Sequence, residues 1–155
     1  MLFRSLVKTP AELSAYRRAA HLADEGYKVF LEGIRIGKPE YQLVAGVEAF
    51  YRANGCAENF QILGSGGVDM RGMHPPGDNR VKAGDLVTTE LTPCVEGYYA
   101  QICRTAVVGE PTKAQQRVLE IYRESLAAGM GQTLSETSAI TPSVPSAPTC
   151  NRERS

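Results

Sequence analysis

The chain has 155 residues, and its 17 lysines and arginines balance its 17 aspartates and glutamates, so its formal charge is zero. A neutral chain offers no electrostatic attraction to nucleic acid or to an anionic membrane surface. No apolar run approaches the roughly 18 residues that a bilayer-spanning helix needs. The N-terminal stretch is too short and too polar for a signal peptide. We therefore expect one cytoplasmic domain with a modest core that binds neither nucleic acid nor membrane.

The cysteines contain no CxxC pair and no compact framework. Their spacing predicts reduced thiols, as in a cytosolic protein, with one of them lining a cleft. The four are Cys56, Cys94, Cys150 and the cleft candidate Cys103.

The first helix has the clearest signals. Thr9 is a good N-cap, Pro10 suits the first helical position, and Glu12 completes a capping box. Apolar residues then recur at alternating steps of three and four, which predicts a helix with a buried face. That face would comprise Leu13, Tyr16, Ala20, Ala23, Tyr27, Phe30 and Ile34. His21 lies beside it and is expected at the surface or the core edge.

A second helix is predicted from about Glu40 to Asn54, where Asn54-Gly55 is a typical C-terminal stop. Its predicted buried face comprises Leu43, Val44, Val47, Phe50 and Tyr51. Because the connection to the first helix is short, we expect the two helices to pack antiparallel and to cover one face of a sheet.

A short strand is expected at residues 60–63, followed by the glycine-rich stretch 64–67. This stretch has neither GK[ST] nor GxGxxG, so a flexible turn at the strand exit is favoured over a phosphate-binding loop. Downstream, His74 precedes two prolines in a loop. It is either a surface histidine or a functional one, and the hairpin that follows favours the functional interpretation.

That hairpin is predicted from two β-rich runs, 85–91 and 98–108, with Pro93 and Glu96-Gly97 supplying the turn. If the turn is centred on residues 95 and 96, three cross-strand residue pairs lie on the same face of the hairpin, and the two side chains of each pair are about 5 Å apart. These pairs are Thr88 with Cys103, Glu90 with Gln101, and Thr92 with Tyr99.

A third helix is expected after the hairpin, capped by Thr112 and ended by Gly129–Gly131. Its predicted buried side comprises Val118, Leu119, Tyr122 and Leu126.

Beyond Met130, twelve of the 25 residues are Ser, Thr or Pro and none is aromatic. That composition predicts a disordered tail over 131–155 that can be removed at little cost. The element order predicts a small α+β domain, an antiparallel sheet with helices on one face.

The hairpin and its upstream histidine resemble the pita-bread-fold family of methionine aminopeptidase, Xaa-Pro aminopeptidase, prolidase and creatinase. The resemblance is carried by His74, Gly84-Asp85, Glu90, Gly97-Tyr98, Gln101 and Arg104-Thr105, within the span from about Lys8 to Met130. It implies that residues 1–130 form the N-terminal half of a curved, pseudo-symmetric catalytic domain. The chain would then be a truncated one.

The resemblance also implies a site for a pair of divalent metal ions (Mn, Co or Zn). Glu90 and Gln101 occupy two ligand positions where the family has Asp, and an amide is a poor replacement for a bridging carboxylate. The family takes its remaining ligands, a His and two Glu, from its second half. After Met130 this chain has no histidine, and its only acids are Glu136 and Glu153, so one chain is expected to bind metal weakly at most.

Three functions follow from the resemblance. The first is an Xaa-Pro peptidase-like hydrolase of C–N bonds, inactive as this isolated chain, in which His74 donates to the substrate. The second is a creatinase-like, metal-independent hydrolase that uses His74 as general acid and base. Creatinases have a substrate-binding Glu at the position of Cys103. The third is a non-catalytic binding module. Tyr98, Tyr99 and Cys103 are the substrate-binding candidates for a peptide or small amide, and an uncovered sheet edge predicts a homodimer.

Overall fold

The computed structural model describes residues 8–67 and 69–136, so the predicted tail beyond residue 136 lies outside the described residues. The elements are α1 (Pro10–Gly33), α2 (Glu40–Ala53), β1 (Asn59–Gly66), β2 (Leu86–Val95), β3 (Tyr98–Tyr99), β4 (Ile102–Val107) and α3 (Lys113–Glu136). The described residues fall into two units, which divide between Val108 and Gly109. Within the described residues, no helix combines the length and apolar character that a membrane span needs.

The start of α1 is as predicted, because both halves of its capping box form. The Glu12 N–H donates to Thr9 Oγ1 at 3.3 Å, and the Thr9 N–H donates to Glu12 Oε2 at 2.7 Å. Its buried face is displaced from the predicted one and is made mainly of small residues, Ala15, Ala19, Ala23, Gly26 and Phe30. Small side chains let the helix backbone approach its neighbours closely. Tyr16, predicted to be buried, lies outside this face and is exposed.

The helix α2 buries the predicted residues Leu43, Val44, Val47 and Tyr51, with Phe50 half-buried. It also buries Glu40, at its first position, completely. The sequence pattern did not identify this residue as part of the core.

The sheet is antiparallel, with β2 at its centre between β1 on one side and β3 and β4 on the other. Alternate residues of β2 are fully buried: Val87, Thr89, Leu91 and Pro93. They join the core formed with α1 and α2, which includes Phe30, Leu43, Val47, Tyr51 and Leu63. The predicted α+β class is confirmed.

Two strand boundaries differ from the predicted ones. The strand β1 continues through residues 64–66 instead of ending in a flexible turn. Gly64 is needed there, because a Cβ atom on it would lie 2.2 Å from the carbonyl oxygen of Gly72. The strand β2 runs through Pro93, which is buried within the strand and takes no part in the turn.

The predicted hairpin register is wrong. The turn is centred on Glu96 and Gly97, with φ of 53° and 82°, and positive φ at both central residues characterises a type I′ turn. The centre thus lies one position later than predicted, which moves every partner by two residues. Glu90 pairs with Cys103 and not with Gln101.

The predicted end of the third helix is also wrong. The helix α3 continues through Gly129 and Gly131 to Glu136. Its predicted N-terminal cap is present, with the Gln115 N–H donating to Thr112 Oγ1 at 3.2 Å. The apolar side predicted to be buried is largely exposed, at Val118, Tyr122 and Leu126.

Two helix glycines provide a matched test of packing between α1 and α2. A Cβ on Gly26 would lie 2.3 Å from the hydroxyl oxygen of buried Tyr51, whereas one on Gly46 would meet nothing within 4 Å. Gly46→Ala should therefore raise the free energy of unfolding by about 0.5–1 kcal/mol through helix propensity alone. Gly26→Ala should lower it by about 1–3 kcal/mol through overpacking. Urea denaturation followed by circular dichroism measures both, and a stabilised Gly26→Ala would contradict the described helix contact.

Candidate functional site

The backbone of His74 is fixed to β1 through a two-way hydrogen bond with Leu63. Each residue's N–H donates to the other's carbonyl at 3.0 Å. The imidazole itself is 54% exposed, with Nδ1 2.8 Å from the carbonyl oxygen of Pro75. His74 is thus a side chain with a rigid backbone and an accessible ring, as a functional histidine requires.

The carboxylate of Glu40 lies 3.8 Å from Nδ1 of His74, measured from Oε2. Four donors surround this buried group. Oε1 accepts from the Ser65 N–H (3.1 Å), the Ser65 hydroxyl (2.7 Å) and the Asn79 amide (3.4 Å), and Oε2 accepts from the Gly77 N–H (3.1 Å). A buried carboxylate needs such partners to offset its desolvation. These hydrogen bonds therefore allow Glu40 to be buried and fix the position of its carboxylate.

The start of α2 is hydrogen-bonded to the loop that follows His74. The Glu40 N–H donates to the Asn79 carbonyl at 3.0 Å, and the Tyr41 N–H donates to the Gly77 carbonyl at 3.2 Å. These carbonyls satisfy N–H groups that the first turn of any helix leaves without helical partners. The negative charge of Glu40 at the first helical position also suits the helix dipole. The loop, β1 and α2 therefore converge on one carboxylate.

Glu90 lies on β2 between Ile62 of β1 and Cys103 of β4. It is half-buried on the face opposite the core, because its neighbours Thr89 and Leu91 point into the core. Leu63, the bridge partner of His74, pairs with Thr89 on the core side. Since directly paired residues share a face, the register does not bring His74 and Glu90 together.

The remaining candidates are dispersed around the hairpin. Gln101 is exposed in the two-residue gap between β3 and β4. The Tyr98 hydroxyl donates to Glu12 on α1 at 3.2 Å, and its ring packs on Tyr16 with centroids 4.9 Å apart. Tyr99 donates to Glu58, and this hydrogen bond is the largest of several causes, followed by an interaction with Cys94 and by desolvation, that raise the pKa of Tyr99 to about 12. Both tyrosines are engaged in holding the hairpin to its neighbours.

The residues that the structure describes do not fit a pair of divalent ions. Over the described ranges, no group of three or more His, Cys, Asp or Glu side chains converges as a metal site. At the two family ligand positions Glu90 offers one carboxylate, and Gln101 offers only an amide that does not lie opposite it. Mn²⁺, Co²⁺ or Zn²⁺ would find most coordination positions filled by water.

In the observed register Cys103 lies opposite Glu90, whose carboxylate affects the pKa of the thiol. Partial desolvation and the charge of Glu90 raise the pKa of Cys103, and Arg104 opposes them. Because the thiolate is the reactive form, Cys103 should alkylate more slowly at neutral pH than an unstructured thiol.

Glu90→Gln should accelerate alkylation of Cys103 on the order of twofold to fourfold, as expected for one charge at strand-pair distance in a solvated site. Arg104→Gln should slow it. The rates can be measured by mass spectrometry in a Cys150→Ser background, since Cys56 and Cys94 are buried. Equal rates in all three proteins would contradict the pairing of Glu90 with Cys103.

Sequence reasoning missed Glu40 and Ser65, and it did not identify Asn79, part of the likeness to creatinases, as a partner of Glu40. One signal was present: Glu40 stands three, four, seven and eleven residues before Leu43, Val44, Val47 and Tyr51, on the same helix face. An acid on the apolar face of a helix indicates a buried carboxylate with dedicated partners. Nothing local identified the partners, because they come from 25 and 39 residues away.

Comparisons with known proteins agree with this fold and motif. The profile of metallopeptidase family M24 matches residues 14–140. The Xaa-Pro dipeptidase of Pyrococcus furiosus is 31% identical over an alignment of 142 positions, which covers 87% of this chain and 41% of that protein. The chain thus spans well under half the length of the relatives it matches.

Solved structures give the same result. The prolidase of Pyrococcus horikoshii superimposes with a TM-score of 0.72 at 32% identity, covering 76% of this chain and 35% of the prolidase. A substrate complex of a variant Escherichia coli aminopeptidase P gives a TM-score of 0.71 at 29% identity, covering 79% and 28% of the two chains. The predicted pita-bread resemblance is confirmed, and the chain belongs to metallopeptidase family M24.

Proposed function

We propose that this chain is the half that carries His74 in an Xaa-Pro peptidase-like hydrolase of C–N bonds, and that the isolated chain binds peptide without turning it over. The observation that carries the proposal is His74, whose backbone is fixed to β1 while its ring stays accessible. The similarity to Xaa-Pro dipeptidases and aminopeptidase P supports the substrate class. Among residues 8–67 and 69–136, the donor set for a metal pair is incomplete, which supports inactivity.

In this proposal His74 binds and orients the scissile amide and exchanges a proton with it. Once the ring carries a proton on the nitrogen that faces the substrate, it can donate a hydrogen bond to the carbonyl or to the tetrahedral intermediate, which stabilises charge that develops during the reaction. The family's metal ions activate water when bound. The described residues of this chain do not complete a site for them.

A creatinase-like, metal-independent hydrolase is the second candidate. It is favoured by the single carboxylate at the two metal-ligand positions, where Glu90 pairs with a thiol, and separately by the fixed backbone and accessible ring of His74. In this alternative His74 alone serves as general acid and base. A non-catalytic binding module is the third.

Release of proline from an Xaa-Pro dipeptide tests the proposal, with the 155-residue chain and with chelator or added Mn²⁺. We expect no turnover, weak Mn²⁺ binding without defined stoichiometry in calorimetry, and perturbation of the His74 ring resonances by the peptide. The chain has only two histidines, so His21 is an internal reference and His21→Ala is the matched control for His74→Ala.

The other outcomes identify the alternatives. Metal-dependent turnover that His74→Ala abolishes would refute inactivity while supporting a peptidase. Turnover that is insensitive to chelator and lost in His74→Ala would assign the creatinase-like mechanism. Absence of both turnover and any effect of peptide on His74 would overturn the proposal in favour of the non-catalytic module.

A further inference from the structure

We propose that Glu40 is a positioning residue for His74, holding the neutral imidazole with its hydrogen on Nδ1 and presenting an unprotonated Nε2. The inference deepens the proposed function and rests on it for its catalytic meaning. Its structural content, the tautomer and its cause, can be measured without any activity.

The surroundings of Nδ1 contain acceptors. The Pro75 carbonyl oxygen lies at 2.8 Å and the Glu40 Oε2 at 3.8 Å. A carbonyl oxygen and a carboxylate can only accept hydrogen bonds, so Nδ1 has to carry the hydrogen. In a neutral imidazole the other nitrogen, Nε2, then keeps its lone pair.

Glu40 is suited to this task because its carboxylate cannot turn away. Oε1 is held by Ser65 and Asn79, and Oε2 by the Gly77 N–H. The residue is fully buried, where a negative charge is weakly screened and acts strongly on a neighbouring ring. The same carboxylate fixes the loop that carries Pro75, the second acceptor for Nδ1.

This arrangement decides the order in which His74 can move protons. The neutral ring must first accept a proton at Nε2, from water or from a substrate group. Only the resulting imidazolium can donate that proton, again from Nε2, to a leaving nitrogen. Through both protonation states Glu40 keeps the ring oriented, as carboxylates that position histidines do.

A purely structural role for Glu40 makes a different prediction. It would stabilise the junction of α2, β1 and the loop without biasing the ring. Loss of Glu40 would then lower stability and leave the tautomer unchanged. The tautomer, and not the melting temperature, is therefore the decisive measurement.

Long-range ¹H–¹⁵N correlation spectra of the full chain at mildly alkaline pH report which ring nitrogen is protonated. We expect His74 to show a protonated Nδ1, with exposed His21 as the solvent-averaged reference. Observation of mainly Nε2–H for His74 in the unsubstituted protein would overturn the inference at once, whatever the variants do.

Glu40→Gln is the main variant, and Glu48→Gln, exposed on the same helix, is its matched control. We expect Glu40→Gln to shift the His74 tautomer ratio toward Nε2–H on the order of tenfold, because it removes a weakly screened charge that lies 3.8 Å from Nδ1. Glu48→Gln should shift nothing. An unchanged ratio in folded Glu40→Gln would overturn the inference.

If Glu40→Gln does not fold, Glu40→Asp and Ser65→Ala keep the test decisive. Ser65→Ala removes one donor and keeps the carboxylate, so Nδ1–H should persist. Glu40→Asp withdraws the charge by one methylene, so the ratio should move part of the way. The inference fails if Ser65→Ala alters the ratio as much as Glu40→Asp does. None of these outcomes depends on turnover, so a failed peptidase assay and a failed tautomer assignment are distinguishable.

Discussion

Gly64→Ala is expected to lower the free energy of unfolding by about 3 kcal/mol, at the upper end of the cost of overpacking. The new Cβ would lie 2.2 Å from the carbonyl oxygen of Gly72 and 3.1 Å from its carbonyl carbon. Both are backbone atoms, so no side-chain rotation relieves the clash. The loop that carries His74 has to move away from β1, which breaks the hydrogen bonds with Leu63.

Gly67→Ala is the control, because a Cβ on this exposed residue of the same stretch would meet nothing within 4 Å. It should change stability by no more than about 0.5 kcal/mol. Chemical denaturation followed by circular dichroism measures both variants, and His74 ring resonances should shift only in Gly64→Ala. A Gly64→Ala protein as stable as Gly67→Ala would refute the close approach of β1 and the loop.

The second prediction with a large expected effect is that the chain self-associates at micromolar concentration. Taken by itself, α3 exposes a stripe of apolar residues at helical spacing: Val118, Ile121, Tyr122 and Leu126. In the first unit, and within the described residues, β4 pairs with β2 on one side and with no strand on the other. Apolar stripes and open strand edges both promote association. We propose that a second copy of this chain covers them.

Analytical ultracentrifugation over a range of concentrations measures this association. The double variant Val118→Glu with Tyr122→Glu should weaken it by at least about tenfold, since each buried charge would need a partner that the stripe does not offer. Gln116→Glu, which adds a charge to an already exposed polar position of α3, should have little effect. A monomer with no concentration dependence in the unsubstituted protein would contradict the proposal.

The sequence by itself determined the local elements whose causes are local. The capping box of Thr9 and Glu12, the buried face of α2 and the β-character of both hairpin runs depend on neighbours within a few residues. They were predicted and are present, as is the α+β class. The family motif around His74 could also be read without coordinates, because its residues are close in the chain.

The tertiary structure decided what depends on distant partners. The register of Glu90 followed from which two residues adopt positive φ in the turn, and a displacement of one position there moves every partner by two. Residues 64–66 belong to the strand β1 because the loop around Gly72, eight residues further along the chain, packs closely against Gly64, where a side chain would prevent the contact. The buried charge of Glu40 was decided by donors from β1 and from the loop after His74. Chain connectivity encodes none of these distances, because the free energy that fixes them comes from packing and from paired buried polar groups.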